Sequence, residues 1–318
     1  MYKQFYGLRQ SPFEISPDPK FYYATPLHNE ALASLIYGVK GRKGFVVTTG
    51  EVGTGKSLLV RCLLQWLAKG QISFSHIFNT RLSALEFLQY FLADLGLPAG
   101  SNKAEILIRL NQHLIGQYRR SSTTVLVVDE GQLLDWEVLE EIRLLTNLET
   151  AQQKLLQIIL VGQPELELKL DSPGLRQLKQ RITFRCRLQA LSEQQTRAYI
   201  AHRLEIAGAN SHAGNLFPEA TLAAIAQHSR GIPRLINTIC ENALIEGYAR
   251  QIPEITPEMI HQIAVDSRLQ STQQPELICD SFNHNELVND LFSTIESSVP
   301  QDAKNVTRQK RNKDGPDL

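Results

Sequence analysis

Residues 50–57, Gly50-Glu51-Val52-Gly53-Thr54-Gly55-Lys56-Ser57, decide the fold of this chain. The octapeptide matches the pattern G-x-x-x-x-G-K-[ST] at every fixed position. A chance match in a chain of this length has odds on the order of one in a hundred. A strand-like stretch precedes the motif and a helical pattern follows it, as a phosphate-binding loop between a strand and a helix requires. The sequence therefore predicts such a loop.

The residue types in this loop suit a nucleotide ligand. Glycines let the backbone wrap closely around phosphates, and the start of the following helix adds its positive end. Lys56 is predicted to reach the β- and γ-phosphates, and Ser57 to hold Mg²⁺ through its hydroxyl. Leu58 completes the predicted contacts of the loop with ATP. The alternative is a glycine-rich turn that binds no ligand.

Two adjacent acids end a second apolar stretch, Val125-Leu126-Val127-Val128-Asp129-Glu130. Burying acids at the end of a strand is costly unless a cation or a reaction uses them. Asp129 is predicted to hold Mg²⁺, and Glu130 to polarise the attacking water as a general base. The alternative is a solvated turn after a strand. An Asp-Glu pair that follows a phosphate-binding loop favours hydrolysis over phosphoryl transfer to a small molecule.

Strand-like and helical segments alternate over residues 44–190, which predicts a parallel sheet flanked by helices, an α/β fold of the P-loop type. The predicted strands are Phe45–Thr49, Ile72–Phe78, Thr124–Val128, Leu156–Val161 and Ile182–Leu188. The predicted helices are Lys56–Lys69, Leu82–Leu95, Lys103–Tyr118 and Trp136–Leu148.

Three further regions flank this α/β domain. Residues 1–43 form a lead-in rich in proline and aromatic residues, with a helix at His28–Val39, and we expect it to pack on the ATPase core. Residues 191–269 are predicted to form a small all-helical lid domain. Residues 270–318 are polar and are predicted to be a flexible tail. The four predicted lid helices are Ser192–Ala207, Pro218–Gln227, Pro233–Ala249 and Pro257–Arg268, with a capping box of Ser192 and Gln195 in the first, prolines in the first turns of the other three, and Thr256 as the N-cap of the last.

Four more residues are candidates for the same site. Gln163 ends a buried strand and is predicted to contact the γ-phosphate or the attacking water, or else forms a simple turn. Arg176 and Arg181 precede the fifth strand; they are either solvated or one of them reaches the γ-phosphate of a neighbouring subunit. Arg234 opens a helix in the lid, where its charge opposes the helix dipole, which favours a contact with nucleotide over an ordinary exposed side chain.

Composition limits the class of protein. The 318 residues are 42% hydrophobic, and Lys+Arg and Asp+Glu are 33 each, so the formal net charge is zero and gives no general indication of nucleic-acid binding. The four cysteines lack C-x-x-C spacing, which argues against a zinc ribbon and a redox motif. No apolar run is long enough for a signal peptide or a transmembrane segment. We therefore expect a cytoplasmic protein.

These segments together resemble the AAA+ ATPases, and more narrowly the general secretion pathway protein A (ExeA) type, over about residues 1–268. The resemblance implies a five-stranded sheet with a helical lid, ATP bound between them, and assembly into rings. It places Gln163 and Arg234 at the two nucleotide-sensing positions, Arg181 or Arg176 at the trans-acting position, and Asn79 at a position that gates the catalytic glutamate. The motifs that carry the resemblance are Phe5-Tyr6-Gly7-Leu8, Pro12-Phe13, Pro17-Asp18-Pro19, Gly50–Ser57, Val128-Asp129-Glu130, Val161-Gly162-Gln163-Pro164-Glu165-Leu166, Gln180-Arg181-Ile182 and Gly231-Ile232-Pro233-Arg234-Leu235-Ile236-Asn237.

Three functional hypotheses follow from the resemblance and the motifs. The first is an ATPase that remodels or recruits a protein partner in secretion, pilus or exopolysaccharide export, with the apolar face around Leu287–Ile295 docking on the partner or on the lid. The second is a DNA-associated regulator similar to the TnsC/TniB transposition ATPases. The third is a slow nucleotide switch. Secretion members of this type also carry a transmembrane helix and a peptidoglycan-binding region, which these residues lack.

Overall fold

The computed structural model describes residues 1–78, 81–98, 100–209 and 216–267. Three predictions lie outside these residues: the gating role of Asn79, the flexible tail at residues 270–318, and the apolar face around Leu287–Ile295. Among the helices of the described ranges, none is long and apolar enough to cross a membrane.

One parallel sheet organises the first two thirds of the described chain, with its five strands in the order β2-β3-β4-β1-β5. Strands β1, β3 and β4 are buried along their whole length because each has a neighbour on both sides and helices on both faces. The predicted α/β sheet is confirmed, with strand ends within two residues of those expected. The strands are β1 (Phe45–Gly50), β2 (Ser73–Ile77), β3 (Thr124–Val128), β4 (Leu156–Gly162) and β5 (Phe184–Leu188).

Eight helices of the described chain precede or flank the strands, and two separate apolar clusters cover the two faces of the sheet. Successive strand residues point to opposite faces, so Val46 belongs to one cluster and Val47 to the other. The helices are α1 (Tyr2–Phe5), α2 (Pro26–Lys40), α3 (Lys56–Lys69), α4 (Ala84–Asp94), α5 (Lys103–Arg119), α6 (Trp136–Leu145), α7 (Pro164–Leu170) and α8 (Arg176–Lys179).

Helix α7 was not expected from the sequence. It begins directly after β4, with Gln163 as its N-cap, Pro164 in its first turn, and two acids, Glu165 and Glu167, in the same turn. Proline and acidic residues both suit the start of a helix, so the signal was present in the sequence. The helix is only seven residues long, which is too short for a periodic apolar pattern to reveal it.

The remaining described helices pack together around a third apolar cluster. The predicted capping box of Ser192 with Gln195 is present, and Thr256 caps the last helix as expected. Pro218 is the N-cap rather than a first-turn residue, so that helix begins one residue later than predicted. These helices are α9 (Glu193–Ile206), α10 (Glu219–Ser229), α11 (Pro233–Ala249) and α12 (Pro257–Asp266).

The lead-in divides its contacts between the two parts of the fold, whereas we expected it to pack on the ATPase core. Its first residues join the cluster of the helical part through Tyr6, Leu8 and Phe13. Helix α2 packs on the sheet instead. The contacts are made by aromatic side chains: the Tyr6 hydroxyl donates to the carbonyl of Ile252 at 2.9 Å, and the Phe13 ring packs edge-on against Phe217.

Residues 12–18, which we call the strap, connect the helical part to the helix after the phosphate-binding loop. Arg203 of α9 donates to the backbone carbonyls of Pro12 and Glu14. Its guanidinium also lies over the Phe21 ring, 4.5 Å from the centroid. At the other end of the strap, Arg61 of α3 donates to the carbonyl of Pro17 at 2.7 Å.

Replacing Phe13 with alanine tests the anchoring of the lead-in. Phe13 is 0% exposed and packs edge-on against Phe217 with the ring centroids 6.0 Å apart. We expect the free energy of unfolding to fall by about 3–5 kcal/mol, because the change removes a buried ring and leaves a cavity. Urea unfolding followed by circular dichroism measures this. Ile15→Ala is the matched control, since Ile15 is 57% exposed and its loss should change stability by less than about 0.5 kcal/mol. Equal effects of the two changes would contradict the described packing.

Candidate functional site

The phosphate-binding loop lies between β1 and α3, as predicted. Gly53 and Gly55 have φ angles of +83° and +104°, in the left-handed region that side chains disfavour. Gly55 is the N-cap of α3 and offers no side chain to its first N–H groups, which are therefore left for a ligand. Thr54 is buried and donates to the carbonyl of Glu51 at 2.8 Å, which closes the loop from behind.

The start of α11 touches this loop. The backbone N–H of Arg234 donates to the carbonyl of Gly53 at 3.2 Å. A Cβ on Gly53 would stand 2.8 Å from the Cβ of Arg234 and 2.9 Å from Cγ2 of Ile232, so only glycine fits. The structure thus brings the predicted sensor position Arg234 to the loop, with its side chain exposed.

Lys56 is buried within the loop that it follows. Its Nζ donates to the carbonyls of Gly50 at 2.7 Å and Glu51 at 2.9 Å. Burial lowers the pKa of Lys56, and the nearby carboxylates of Glu130 and Asp129 oppose that shift. The ammonium group therefore lies within electrostatic reach of both acids and at the base of the predicted phosphate site.

The two acids after β3 have different environments. Asp129 is buried, its N–H donates to the carbonyl of Ile77 at 2.9 Å, and one carboxylate oxygen accepts the N–H of Glu130 at 2.9 Å. Burial raises the pKa of Asp129, with the hydrogen bond from Glu130 acting in the opposite direction. Such a carboxylate gains from a nearby cation. Glu130 is half-buried and adopts the left-handed conformation, with φ +52°.

Two glutamine side chains meet the carboxylate of Glu130. Gln163 Nε2 lies 3.4 Å from Oε2, which places the predicted sensor beside the predicted base. Gln132 Nε2 donates to the same oxygen at 2.6 Å, and Gln132 Oε1 accepts the backbone N–H of Gln163 at 2.9 Å. Sequence reasoning missed Gln132, because its partner Gln163 follows 31 residues later and no local pattern links the two.

A cavity of about 450 Å³ unites most of the predicted residues, a volume in the range of small-molecule sites. It opens between the phosphate-binding loop, the start of α11 and the strap. Gly50, Glu51 and Thr54 form the back of the loop, and Asp129 lies buried next to it. The predicted site residues that line the cavity are Val52, Gly53, Gly55, Lys56, Ser57, Leu58, Glu130, Gln163 and Arg234.

Arg176 and Arg181 are not among the described residues that line this cavity. Arg176 is the first residue of α8 and is exposed, and Arg181 follows that helix and is half-buried. Helix α8 packs on α6, where Arg143 donates to Gln177 at 3.0 Å. Neither arginine therefore serves the cavity of its own chain, and a role in a neighbouring site remains a prediction for both.

His28 is a second residue that sequence reasoning missed. Its Nε2 lies 3.0 Å from the carbonyl of Thr54, and its Nδ1 lies 2.7 Å from Oγ1 of Thr25. A carbonyl can only accept, so Nε2 carries the proton, and Nδ1 accepts the Thr25 hydroxyl proton in the neutral ring. Burial lowers the pKa of His28, and the bond to Thr54 opposes this. The neutral imidazole thus supports the loop from α2.

The residues present fit a Mg²⁺–nucleotide complex. The left-handed turns at Gly53 and Gly55 leave the first N–H groups of α3 for phosphates, and burial raises the pKa of Asp129, so that a cation would stabilise its charged form. Mg²⁺ commonly uses one or two protein oxygens together with phosphate oxygens and water. Within the described chain, no group of three or more His, Cys, Asp or Glu could hold a metal. Ser57, Asp129 and phosphate oxygens would suffice for Mg²⁺.

Comparison with known proteins agrees with this geometry. A protein-family model described as an AAA domain matches residues 39–170. The chain is 46% identical over 254 residues to General secretion pathway protein A of Aeromonas hydrophila, covering 79% of this chain and 45% of the relative. The chain therefore spans about half the length of the curated relative that it matches.

Several solved structures share the fold at low sequence identity. Cdc6p from Pyrobaculum aerophilum superposes with a TM-score of 0.60 at 18% identity, covering 78% of this chain and 70% of that one. The Aeropyrum pernix ORC2 protein gives 0.58 at 15% identity, with 79% and 72% covered. Domain III of Thermotoga maritima DnaA gives 0.52 at 19% identity, with 80% and 98% covered. These structures confirm the P-loop fold with its helical part.

The pH dependence of stability tests the neutral state of His28. The folded chain disfavours the imidazolium, so the unfolded chain binds more protons below the ordinary histidine pKa of about 6.5. The contribution of the neutral His28 to the free energy of unfolding is therefore fully present above about pH 6.5 and is lost as the pH falls below that value. We expect the stability advantage over His28→Gln to shrink between about pH 7.5 and about pH 5.5. Urea unfolding without nucleotide measures the difference.

Burial also lowers the pKa values of three other histidines, His76, His113 and His228. These histidines are present in the natural chain and in the His28→Gln variant, so their contributions to the stability difference cancel. A stability difference that stays constant with pH would show that His28 is not held neutral.

Proposed function

Because this chain carries an AAA domain and is a relative of General secretion pathway protein A, we propose that it binds ATP with Mg²⁺ and hydrolyses it. One observation supports this above the others. Lys56 and Glu130 line the same cavity, between the phosphate-binding loop and α11. A nucleotide binder without hydrolysis needs the lysine alone, whereas hydrolysis also needs a base beside the γ-phosphate.

Each site residue has a proposed role in the reaction. Lys56 holds the β- and γ-phosphates, and Gln163 and Arg234 contact the γ-phosphate from β4 and α11. Glu130 accepts a proton from water as the water oxygen bonds to the γ-phosphorus and the bond to the β–γ bridging oxygen breaks, which releases ADP and inorganic phosphate. Ser57 and Asp129 would hold Mg²⁺, which neutralises charge on the phosphate oxygens when bound.

The division of the chain follows from these roles. We propose that residues 44–190 act as the ATPase domain, residues 191–269 as the lid and residues 1–43 as the lead-in. The contact between Gly53 and Arg234 supports this division, because it joins the loop to the first turn of a lid helix. Nucleotide entry would alter that contact directly.

We further propose that the protein assembles into a ring. The exposed position of Arg176 and the location of both arginines outside their own cavity support a role in trans. The partner that the ring remodels or recruits is proposed to be a protein of an export or pilus system, by analogy with the secretion pathway for which the Aeromonas relative is named. Binding of duplex DNA is the alternative that the activity measurement separates.

Replacing Glu130 with glutamine tests the hydrolytic step. The amide keeps the shape of the side chain but cannot accept the proton of water, so we expect kcat to fall by about 10²- to 10⁴-fold. ADP binding should change by less than about twofold, since ADP lacks the γ-phosphate. Steady-state phosphate release measured against protein concentration, with and without duplex DNA, gives both the rate and its dependence on assembly.

Wild-type specific activity should rise with protein concentration if a second subunit completes the site. Stimulation by DNA that weakens with salt would favour the DNA-associated alternative. A rate that is flat in concentration and unaffected by Glu130→Gln would contradict the assembled ATPase and leave a monomeric nucleotide switch.

Mixing two inactive variants tests the trans arginine and chooses between the two candidates. A chain with Arg176→Ala keeps its own catalytic base but cannot complete a neighbour's site. A Glu130→Gln chain lacks its own base but still supplies Arg176 to a neighbour. If Arg176 acts in trans, its loss should lower kcat by about 10³-fold or more, and mixing should restore part of the rate. Arg181→Ala provides the parallel arm. Activity of both arginine variants within twofold of the natural chain would exclude both assignments.

A further inference from the structure

Gln132 bridges the polar residues that follow two neighbouring strands. Its Nε2 donates to Glu130 Oε2 at 2.6 Å, and its Oε1 accepts the backbone N–H of Gln163 at 2.9 Å. A backbone N–H can only donate, so the oxygen end of the carboxamide must face Gln163. The amino end must then face Glu130. These two hydrogen bonds fix the orientation of the Gln132 carboxamide, which presents its N–H donors to the carboxylate of Glu130.

The turn that carries Gln132 is also fixed through its backbone. Lys169 of α7 donates from Nζ to the carbonyls of Gln132 at 2.9 Å and Leu134 at 2.6 Å. The N–H of Leu133 donates to the carbonyl of Glu130 at 2.9 Å. These bonds hold the turn against β4 and α7, so the bridging carboxamide cannot drift away from the acid.

The conformation of Glu130 needs such support. Its φ of +52° is rare for a residue with a side chain and persists where neighbouring contacts determine it. The following residue, Gly131, packs so tightly that a Cβ would stand 2.7 Å from Cδ1 of Leu160. The backbone of Glu130 is therefore held on one side by packing, and its carboxylate is held on the other by Gln132.

We propose that Gln132 is a positioning residue for ATP hydrolysis, which holds Oε2 of Glu130 so that Oε1 accepts the proton of the attacking water. This inference rests on the proposed ATPase function. A hydrogen bond of 2.6 Å to a carboxylate is short and charge-assisted, so it restricts rotation of the side chain. Gln163 contacts the same oxygen at 3.4 Å and is the weaker of the two holds. Both amides meet Oε2, which leaves Oε1 for water.

Replacing Gln132 with methionine removes the carboxamide and keeps the length of the side chain. We expect kcat to fall by about 10- to 100-fold, because a base displaced by about an ångström loses that much rate. KM for ATP and the Kd for ADP should stay within twofold of the natural values, since Gln132 is not among the described residues that line the cavity. Gln152→Met is the matched control and should leave kcat unchanged. Gln152 is an exposed glutamine in the loop before β4 and is not among the described residues that line the cavity.

Replacing Gln132 with glutamate gives a readout that a purely structural role would not produce. The new carboxylate would lie beside Oε2 of Glu130, and two acids at this distance share one proton. The acid limb of the pH–rate profile should therefore move to higher pH by about one unit or more, with part of the rate recovered at high pH. A carboxylate oxygen still accepts the N–H of Gln163, so this variant keeps the bridge on the β4 side.

The outcomes separate the inference from the function on which it rests. Loss of kcat in Gln132→Met at constant KM, with the shifted profile in Gln132→Glu, supports the positioning role. A kcat within twofold of the natural chain in Gln132→Met, or equal losses of kcat and ADP binding, overturns it while Glu130→Gln remains inactive. If instead the natural chain and Glu130→Gln release phosphate at the same slow rate, the proposed hydrolysis itself fails.

Discussion

The pairing of β1 with both β4 and β5 is the constraint on which the site depends. In register, Thr49 lies beside Gly162 and Gly50 beside Leu188, so the phosphate-binding loop leaves the sheet next to the end of β4. Strand β3 pairs with β4 on its far side. Parallel strands end at one edge of the sheet, so the loop, the acid pair and Gln163 must meet there. A shift of one residue in either pairing would separate Lys56 from Glu130 and turn every strand side chain to the opposite face.

Burial gives this edge its electrostatic character. The ammonium of Lys56 and the carboxylate of Asp129 are both withdrawn from water, and burial alone would push both toward their neutral forms. The Lys56 ammonium and the Asp129 carboxylate stabilise each other's charged forms. The carbonyls of Gly50 and Glu51 also accept hydrogen bonds from the lysine. A ligand that brings both negative phosphates and a divalent cation satisfies the two groups together. The site is therefore matched to a metal–nucleotide pair better than to either component alone.

The sequence predicted what depends on local pattern, and it missed what depends on contacts between distant segments. The loop Gly50–Ser57, the sheet and the capping box at Ser192 were all confirmed, because each has a motif or a periodicity within a few residues. His28 and Gln132 were missed, since each acquires meaning only from a partner 26 or 31 residues away. The packing of Phe13 on the helical part was missed for the same reason, as no residue near it in sequence indicates which surface its ring enters. The roles assigned to the site residues stay predictions.

The strap has a mechanical consequence. Its two ends are held by different parts of the fold: Arg203 of the helical part donates to one end, and Arg61 of the helix that begins at the phosphate-binding loop donates to the other. A rotation of the helical part relative to the sheet would change the distance that residues 12–18 must span. Pro12 and Pro17 have fixed φ angles, so this segment can change its length only a little. Such a tether converts opening of the cleft into tension on the N-terminal residues. Either the hydrogen bonds from the Arg203 guanidinium break, or the first dozen residues move together with the helical part. In the second case the position of the amino terminus would report the angle between the two parts.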